Sequence, residues 1–356
     1  MKLLVLTQVL DRRNGVLGFF NRWIAEFARY CEAVRVVALE VGDTSDLPDN
    51  VDWVEIGRRG VVGRYLRYRR ALGQALGPGP DGGFDAVLGH MVPRYSIVAA
   101  GPARRAGARS YLWYTHKGVD ARLRKAVTLV EKTFTASDES LRVETPTRVV
   151  TGHGIDTDHF DLPAPTFDAA TRILSVGRLT PAKDPLTVIR ALGILREEGR
   201  DVSLDWVGGG LTGSDVGFAD EVRGEISSLG LEGAVALLGE VPYAEVDQRF
   251  AACDFFVNAS FTGSVDKVVL EAMAARRPSL SCNDSFPPIF AGLGDDRAGD
   301  LVFGQGDPRD LAAKLGTWLD RGPDELRRLG EDLRALVVRD HGVEALCARL
   351  CREMGA

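Results

Sequence analysis

The sequence is short of the features that would tie it to an oxidising or membrane environment. Its five cysteines, Cys31, Cys253, Cys282, Cys347 and Cys351, are scattered and odd in number, and no two form a Cys-x-x-Cys pair. They read as reduced thiols, which excludes a disulfide framework and points to the cytoplasm. Cys347 and Cys351 stand four apart without a histidine in ligand spacing, so no metal site is expected there. No run of roughly 18 apolar residues exists, which argues against a transmembrane helix. The N-terminal MKLLVL is too short for a signal peptide and reads as a first strand. A net positive charge is also lacking: the balance is -6, which argues against a general nucleic-acid binder because no bulk field neutralises phosphates.

Local basic clusters stand out against that background, at Arg58-Arg59, 64–70 and Arg104-Arg105. The densest, 63–70 (GRYLRYRR), reads as a solvated helix face. The alternative is a patch facing anionic lipid head groups, a peripheral contact with the inner membrane face.

What is present is a repeating alternation. A chain of 356 residues, 45% hydrophobic and 26% charged, is soluble, globular and too long for one ordinary core. Apolar strand-like runs at 3–7, 33–39, 52–56, 86–89 and 110–114 alternate with helical stretches such as 17–30 and 64–76. The pattern repeats with strands at 172–176, 203–207, 235–238, 255–258 and 278–281 and helices at 184–198, 220–228, 244–251 and 268–275. Continuous apolar strands between helices predict parallel sheets covered on both faces, hence an α/β chain of two doubly wound, Rossmann-like domains. The Pro-containing stretch 158–170 marks the joint. The expected limits are 1–162, 163–335, and a C-terminal segment 336–356 that returns to the first domain. Ligands of such sheets bind beyond the carboxyl ends of the strands, so the cleft between two facing domains is the expected site.

The residues at strand ends carry the chemistry. The stretch 260–274 (SFTGSVDKVVLEAMA) follows the strand at 255–258 with a small-residue turn and a helix start. Free N–H groups and the helix dipole at such a start favour an anion, and Gly263, Ser264, Asp266, Lys267 and Glu271 surround it. Glu271, one turn in, suits a hydroxylated ligand. A second junction, 175–184 (SVGRLTPAKD), places Arg178 and Lys183 beside Gly177, with Asp184 and Pro185 as N-cap and N1. Two cations at a helix N-terminus grip a diphosphate, Arg by its fork and Lys as a point charge. Gly208, Gly210 and Gly213 match the dinucleotide fingerprint spacing and read as a loop that lets backbone approach a nucleotide, with Gly208 and Gly210 on the donor; a nicotinamide-dependent oxidoreductase is the alternative. Asn14, Gly15 and Gly18 lie between the first strand and first helix, where backbone can approach a ligand. His90 and His116 follow strands on the cleft side, and His153 sits in a loop before the joint.

These motifs resemble the GT-B glycosyltransferases, specifically the retaining family 4 group, over nearly the whole chain. The resemblance rests on 152–160 (GHGIDTDHF), 174–179 (LSVGRL) with Lys183-Asp184, 252–260 (ACDFFVNAS), 270–274 (LEAMA) and 135–137 (TAS). It implies a nucleotide-diphosphate sugar in the C-terminal domain, with Arg178 and Lys183 on the phosphates, Glu271 on the ribose and Val241 near the base. Gly15, Gly18 and His116 would meet acceptor and donor sugar, and the acceptor would be a hydroxyl group. Such enzymes generally need no metal or other cofactor, because cations and a helix dipole carry the leaving-group charge. One departure stands out. The family usually has two glutamates eight residues apart, and Gly263 stands where the first is expected, with Asp266 the nearest carboxylate. A non-catalytic sugar-nucleotide-binding relative is therefore the other alternative.

Overall fold

The structure, a computed structural model, describes all residues except 80, 81, 168–170, 210–212, 262 and 295, and the side chains of 213–216 and 244 are also outside the described set. The chain divides into two compact units, Met1–Gly154 with Asp340–Ala356, and Ile155–Arg339. The division thus falls at 154/155 and 339/340 rather than at 162/163 and 335/336. The reason is burial: Ile155 and Phe160 belong to the core of the second unit.

The first unit holds seven parallel strands: β1 (Lys2–Leu10), β2 (Ala33–Val41), β3 (Val51–Glu55), β4 (Ala86–His90), β5 (Arg109–Trp113), β6 (Lys132–Thr135) and β7 (Arg148–Val150). Their order is β3-β2-β1-β4-β5-β6-β7. β1 is central because Leu3, Leu4, Val5 and Leu6 are all fully buried, so both faces of the strand are covered. The short β7 has only half-buried residues and no apolar run, which is why it does not show in the sequence pattern. The helix Val343–Met354 returns to this unit. Its Val343, Leu346, Cys347, Leu350 and Met354 share a core with Phe20, Trp23 and Phe27 of the helix Phe20–Tyr30. Each such buried side chain contributes about 1.5–3 kcal/mol over an exposed one.

The second unit holds five parallel strands, β8 (Thr171–Val176), β9 (Val202–Val207), β10 (Val235–Gly239), β11 (Phe255–Asn258) and β12 (Ser279–Ser281), in the order β10-β9-β8-β11-β12. Both units are therefore doubly wound α/β sheets. The order reverses at β8, which has β9 on one side and β11 on the other. The carboxyl ends of β8 and β11 flank that switch point, where open sheets of this kind bind ligands.

Candidate active site

In the second unit the chain leaves β8 through Gly177 and Arg178 and enters a short 3-10 turn, Pro181–Lys183. Asp184 then caps the helix Pro185–Glu197, accepting from the Thr187 N–H at 3.3 Å and the Thr187 hydroxyl at 2.6 Å. Pro185 at the first helical position has no N–H to leave unsatisfied. The cap fixes the turn, and the turn fixes Lys183. Its aliphatic stem passes Gly177, where an added Cβ would stand 3.4 Å from it.

Lys183 Nζ donates to Asp266 Oδ1 at 2.9 Å and to the Ser260 hydroxyl at 3.2 Å. The other Asp266 oxygen accepts from Asn258 Nδ2 at 3.2 Å and Asn283 Nδ2 at 3.5 Å. Asn283 Nδ2 also donates to the Ser264 carbonyl, and Asn258 Oδ1 accepts from the Ser281 hydroxyl. Asn258, Ser260, Ser281 and Asn283 are all buried. One polar network thus joins the ends of β8, β11 and β12. Lys183 and Asp266 are mostly shielded from water, at 17% and 14% side-chain exposure, so their attraction exceeds that of a surface pair and loss of either is costly.

Asp266 precedes the helix Lys267–Ala274. On its first turns Lys267 pairs with Glu271, donates to the Tyr243 hydroxyl at 3.1 Å and lies over the Tyr243 ring, 4.5 Å from its centroid. Glu271 is only 2% exposed. Burial, then the Glu271 charge, holds the Tyr243 hydroxyl well above its ordinary range, so it stays protonated. The four ions cancel in two pairs. Arg178 is exposed and forms no ion pair among the described residues. Arg178 thus adds an exposed guanidinium, free of a carboxylate partner among the described residues, beside the two pairs at the switch point, where it can meet an anion. Gly263, which precedes it, is in the left-handed region at φ 58°.

The glycine motif is accounted for differently. Gly208 sits at φ 120°, and a Cβ there would overlap the Gly177 carbonyl oxygen. Its N–H donates to the Gly239 carbonyl at 2.7 Å, and Trp206 Nε1 donates to the Gly177 carbonyl at 2.8 Å. Glycine is needed at 208 because the ends of β8 and β9 touch. Gly210 lies outside the described residues. Val241 is half-buried against the core of this unit.

In the first unit, His116 is exposed and its Nδ1 accepts from the Gly118 N–H at 2.9 Å, which places the neutral ring's proton on Nε2. Asn14 Oδ1 accepts from the N–H groups of Val16 and Leu17, so it organises the turn that contains exposed Gly15 and buried Gly18. Two expectations are corrected. His90 is not in a loop; it is the last residue of β4, 1% exposed, stacked on Phe20 with ring centroids 3.8 Å apart. Its Nδ1 is 3.1 Å from the Thr7 hydroxyl, and burial, then the His153 charge, pushes its pKa down to about 3. His153 is likewise buried, 5% exposed, edge-on to Trp113. Aromatic packing against Phe20, Trp23 and Trp113 takes both rings out of solvent. Asn258, Asn283 and Tyr243 were not singled out from the sequence. A lone asparagine closing the buried run 255–258 was the available signal. Among the described residues no group of three His, Cys, Asp or Glu side chains is placed to hold a metal.

Comparison with known proteins places this geometry. Residues 170–321 match the family model described as Glycosyl transferases group 1. The chain is 33% identical over 159 residues to a D-inositol 3-phosphate glycosyltransferase of Corynebacterium glutamicum, covering 44% of this chain and 37% of that protein. A Thermobispora bispora protein of the same name is 30% identical over 237 residues, covering 62% of this chain and 54% of its own length. The matches thus span little more than half of these relatives at most. Among solved structures, Anabaena HepE in complex with UDP superimposes with a TM-score of 0.79 at 17% identity, over 99% of each chain. Thermosynechococcus elongatus sucrose-phosphate synthase gives 0.71 at 13% identity, over 99% of this chain and 98% of that one. The fold of the chain is GT-B.

Proposed function

We propose that this GT-B chain, in which residues 170–321 form a glycosyl transferases group 1 domain, moves a sugar from a nucleotide-diphosphate sugar to an acceptor hydroxyl with retained configuration. The observation that carries the reading is the pair of cations at the switch point of the second unit. Arg178 is exposed and in no ion pair among the described residues, and Lys183 is held beside it at the end of β8. The HepE structures with UDP and with UDP-glucose support a uracil nucleotide as the first donor to test.

In this reading the donor diphosphate lies against Arg178, Lys183 and the start of the helix Lys267–Ala274. The bond from anomeric carbon to diphosphate oxygen breaks, and the developing negative charge is stabilised by these groups without a metal ion. The departing oxygen takes the acceptor proton. Lys183 meets the phosphate by loosening its contact with Asp266, which frees a carboxylate for the sugar. Glu271, oriented by Lys267, faces the ribose. His116 and the 14–18 turn belong to the acceptor side.

A thermal-shift series with UDP-, GDP-, ADP- and TDP-sugars identifies the donor, since a ligand of the folded state raises the unfolding temperature. Nucleoside diphosphate release with a hydroxyl acceptor panel then tests transfer. Arg178→Ala and Lys183→Ala are expected to weaken the shift and to lower transfer strongly, and unchanged turnover in these variants sinks the phosphate assignment. One observation favours a second reading, a sugar-nucleotide binder without transfer: Asp266 is already engaged by Lys183, Asn258 and Asn283. Donor binding without release across the whole panel would select it.

A further inference from the structure

The helix Val61–Leu76 of the first unit is seated on its sheet by only its second half, through Tyr68, Ala71, Leu72, Ala75 and Leu76. Its first two turns carry an apolar face that the rest of the chain leaves open. Val61 is 65% exposed, Val62 72%, Tyr65 49% and Leu66 61%. Single exposed apolar residues are ordinary, but four within six residues form a contiguous patch. A solvated polar face does not account for it.

The surrounding charge has one sign. Residues 56–80 contain six arginines and no acidic residue, in a chain whose net charge is -6. Two of the six are used within the fold: Arg58 pairs with Glu40, and Arg67 donates to the carbonyls of Ile56 and Arg59. Arg59, Arg64, Arg69 and Arg70, with Arg94 of the next helix, make no ion pair among the described residues. Beside the patch is a recess of about 530 Å³, lined by Leu39, Val62, Tyr65 and Tyr95 with Arg64 and Arg94 at its edge. An apolar surface ringed by unpaired cations, next to a recess with an apolar wall, complements a layer of anionic head groups over acyl chains.

We propose that this face docks the protein on an anionic lipid bilayer, with Val61, Val62, Tyr65 and Leu66 entering the headgroup–acyl boundary and the unpaired arginines meeting lipid phosphates. The inference stands on the first unit alone and is independent of the transfer reading.

Co-sedimentation of the full chain with phosphatidylcholine vesicles, with and without phosphatidylglycerol, tests it. Binding is expected only to the phosphatidylglycerol vesicles and is expected to weaken as salt rises. Removing cations one at a time (Arg59→Gln, Arg64→Gln, Arg69→Gln, Arg70→Gln) should weaken binding about fivefold each. The triple variant Val61→Ser, Val62→Ser, Leu66→Ser should lose binding at least tenfold while keeping its circular dichroism and its unfolding temperature. These positions are exposed and outside the donor-binding machinery, so folding is expected to survive. Failure of the wild-type chain to bind either vesicle overturns the proposal, as does undiminished binding by the triple variant. Retention on duplex DNA without vesicle binding overturns it in favour of a nucleic acid. Concentration-dependent dimerisation without vesicles, abolished by the triple variant, overturns it in favour of a second copy.

Discussion

The two units have the same kind of sheet and opposite contents at the place where their strand order reverses. In the first unit, β1 and β4 meet at Thr7 and His90, and the position is sealed by Phe20, Trp23 and Trp113. In the second, β8 and β11 meet at Gly177 and Asn258, and the position holds two ion pairs, two buried asparagines and an exposed Arg178. A shared topology thus marks where a ligand can bind, and the side chains decide whether the position is a site or a plug. A histidine at the first position is neutralised by its surroundings, whereas each lysine at the second has a carboxylate partner.

The largest expected break of this contrast is Phe20→Ala, which opens a cavity under His90. It should cost about 3–5 kcal/mol in urea unfolding while leaving nucleotide affinity intact. A loss of nucleotide affinity at unchanged stability would contradict the plug. Next is Lys183→Ala, expected to lower sugar transfer about 100–1000-fold, because it removes a group aimed at the leaving charge. Steady-state release of nucleoside diphosphate measures this, and a loss confined to stability would return Lys183 to a structural role.

The third is pH. The folded pKa of His90, about 3, lies below that of an exposed histidine, so the unfolded chain binds more protons in between. Stability is complete above about 6.5 and falls as pH drops towards 3, by about 2–3 kcal/mol at pH ~4.5. His341, pushed down to about 4 by burial, acts in the same direction in the same unit. Urea midpoints at several pH values check the slope, and a slope that His90→Gln leaves unchanged would remove the histidine as its source. The smallest is Gly263→Glu. It restores the family's usual carboxylate but forces φ 58° on a residue with a Cβ, so a cost of about 1–2 kcal/mol and no gain in transfer are expected. A gain in transfer would show that the turn remodels readily and that the missing glutamate is a loss of function.

Much of the scaffold was legible because periodicity reports burial directly. The run 255–258 is a strand with the limits expected, and Asp184 and Pro185 cap and open their helix as the capping pattern requires. β7 was not legible, since three half-buried residues at a sheet edge leave no apolar signature. At the site, Arg178, Lys183, Asp266, Lys267 and Glu271 were named from strand–turn–helix junctions. Their pairing was not, because Lys183 and Asp266 are 83 residues apart. The contact of Gly208 with the Gly177 carbonyl was not legible either, because it joins two strand ends that are distant in sequence.

By itself, the sequence determined two parallel α/β sheets, the strand ends that carry charge, and the glycine at 263 where the family has a glutamate. These follow from local preference and the burial period, which neighbouring residues specify. Only the tertiary structure decided that Lys183 answers Asp266 and Lys267 answers Glu271, that His90 and His153 are buried among aromatic rings, and that Val61, Val62 and Leu66 lie uncovered among unpaired arginines. Those outcomes depend on which distant segments meet and on how much water each side chain loses, and neither is a property of the local pattern.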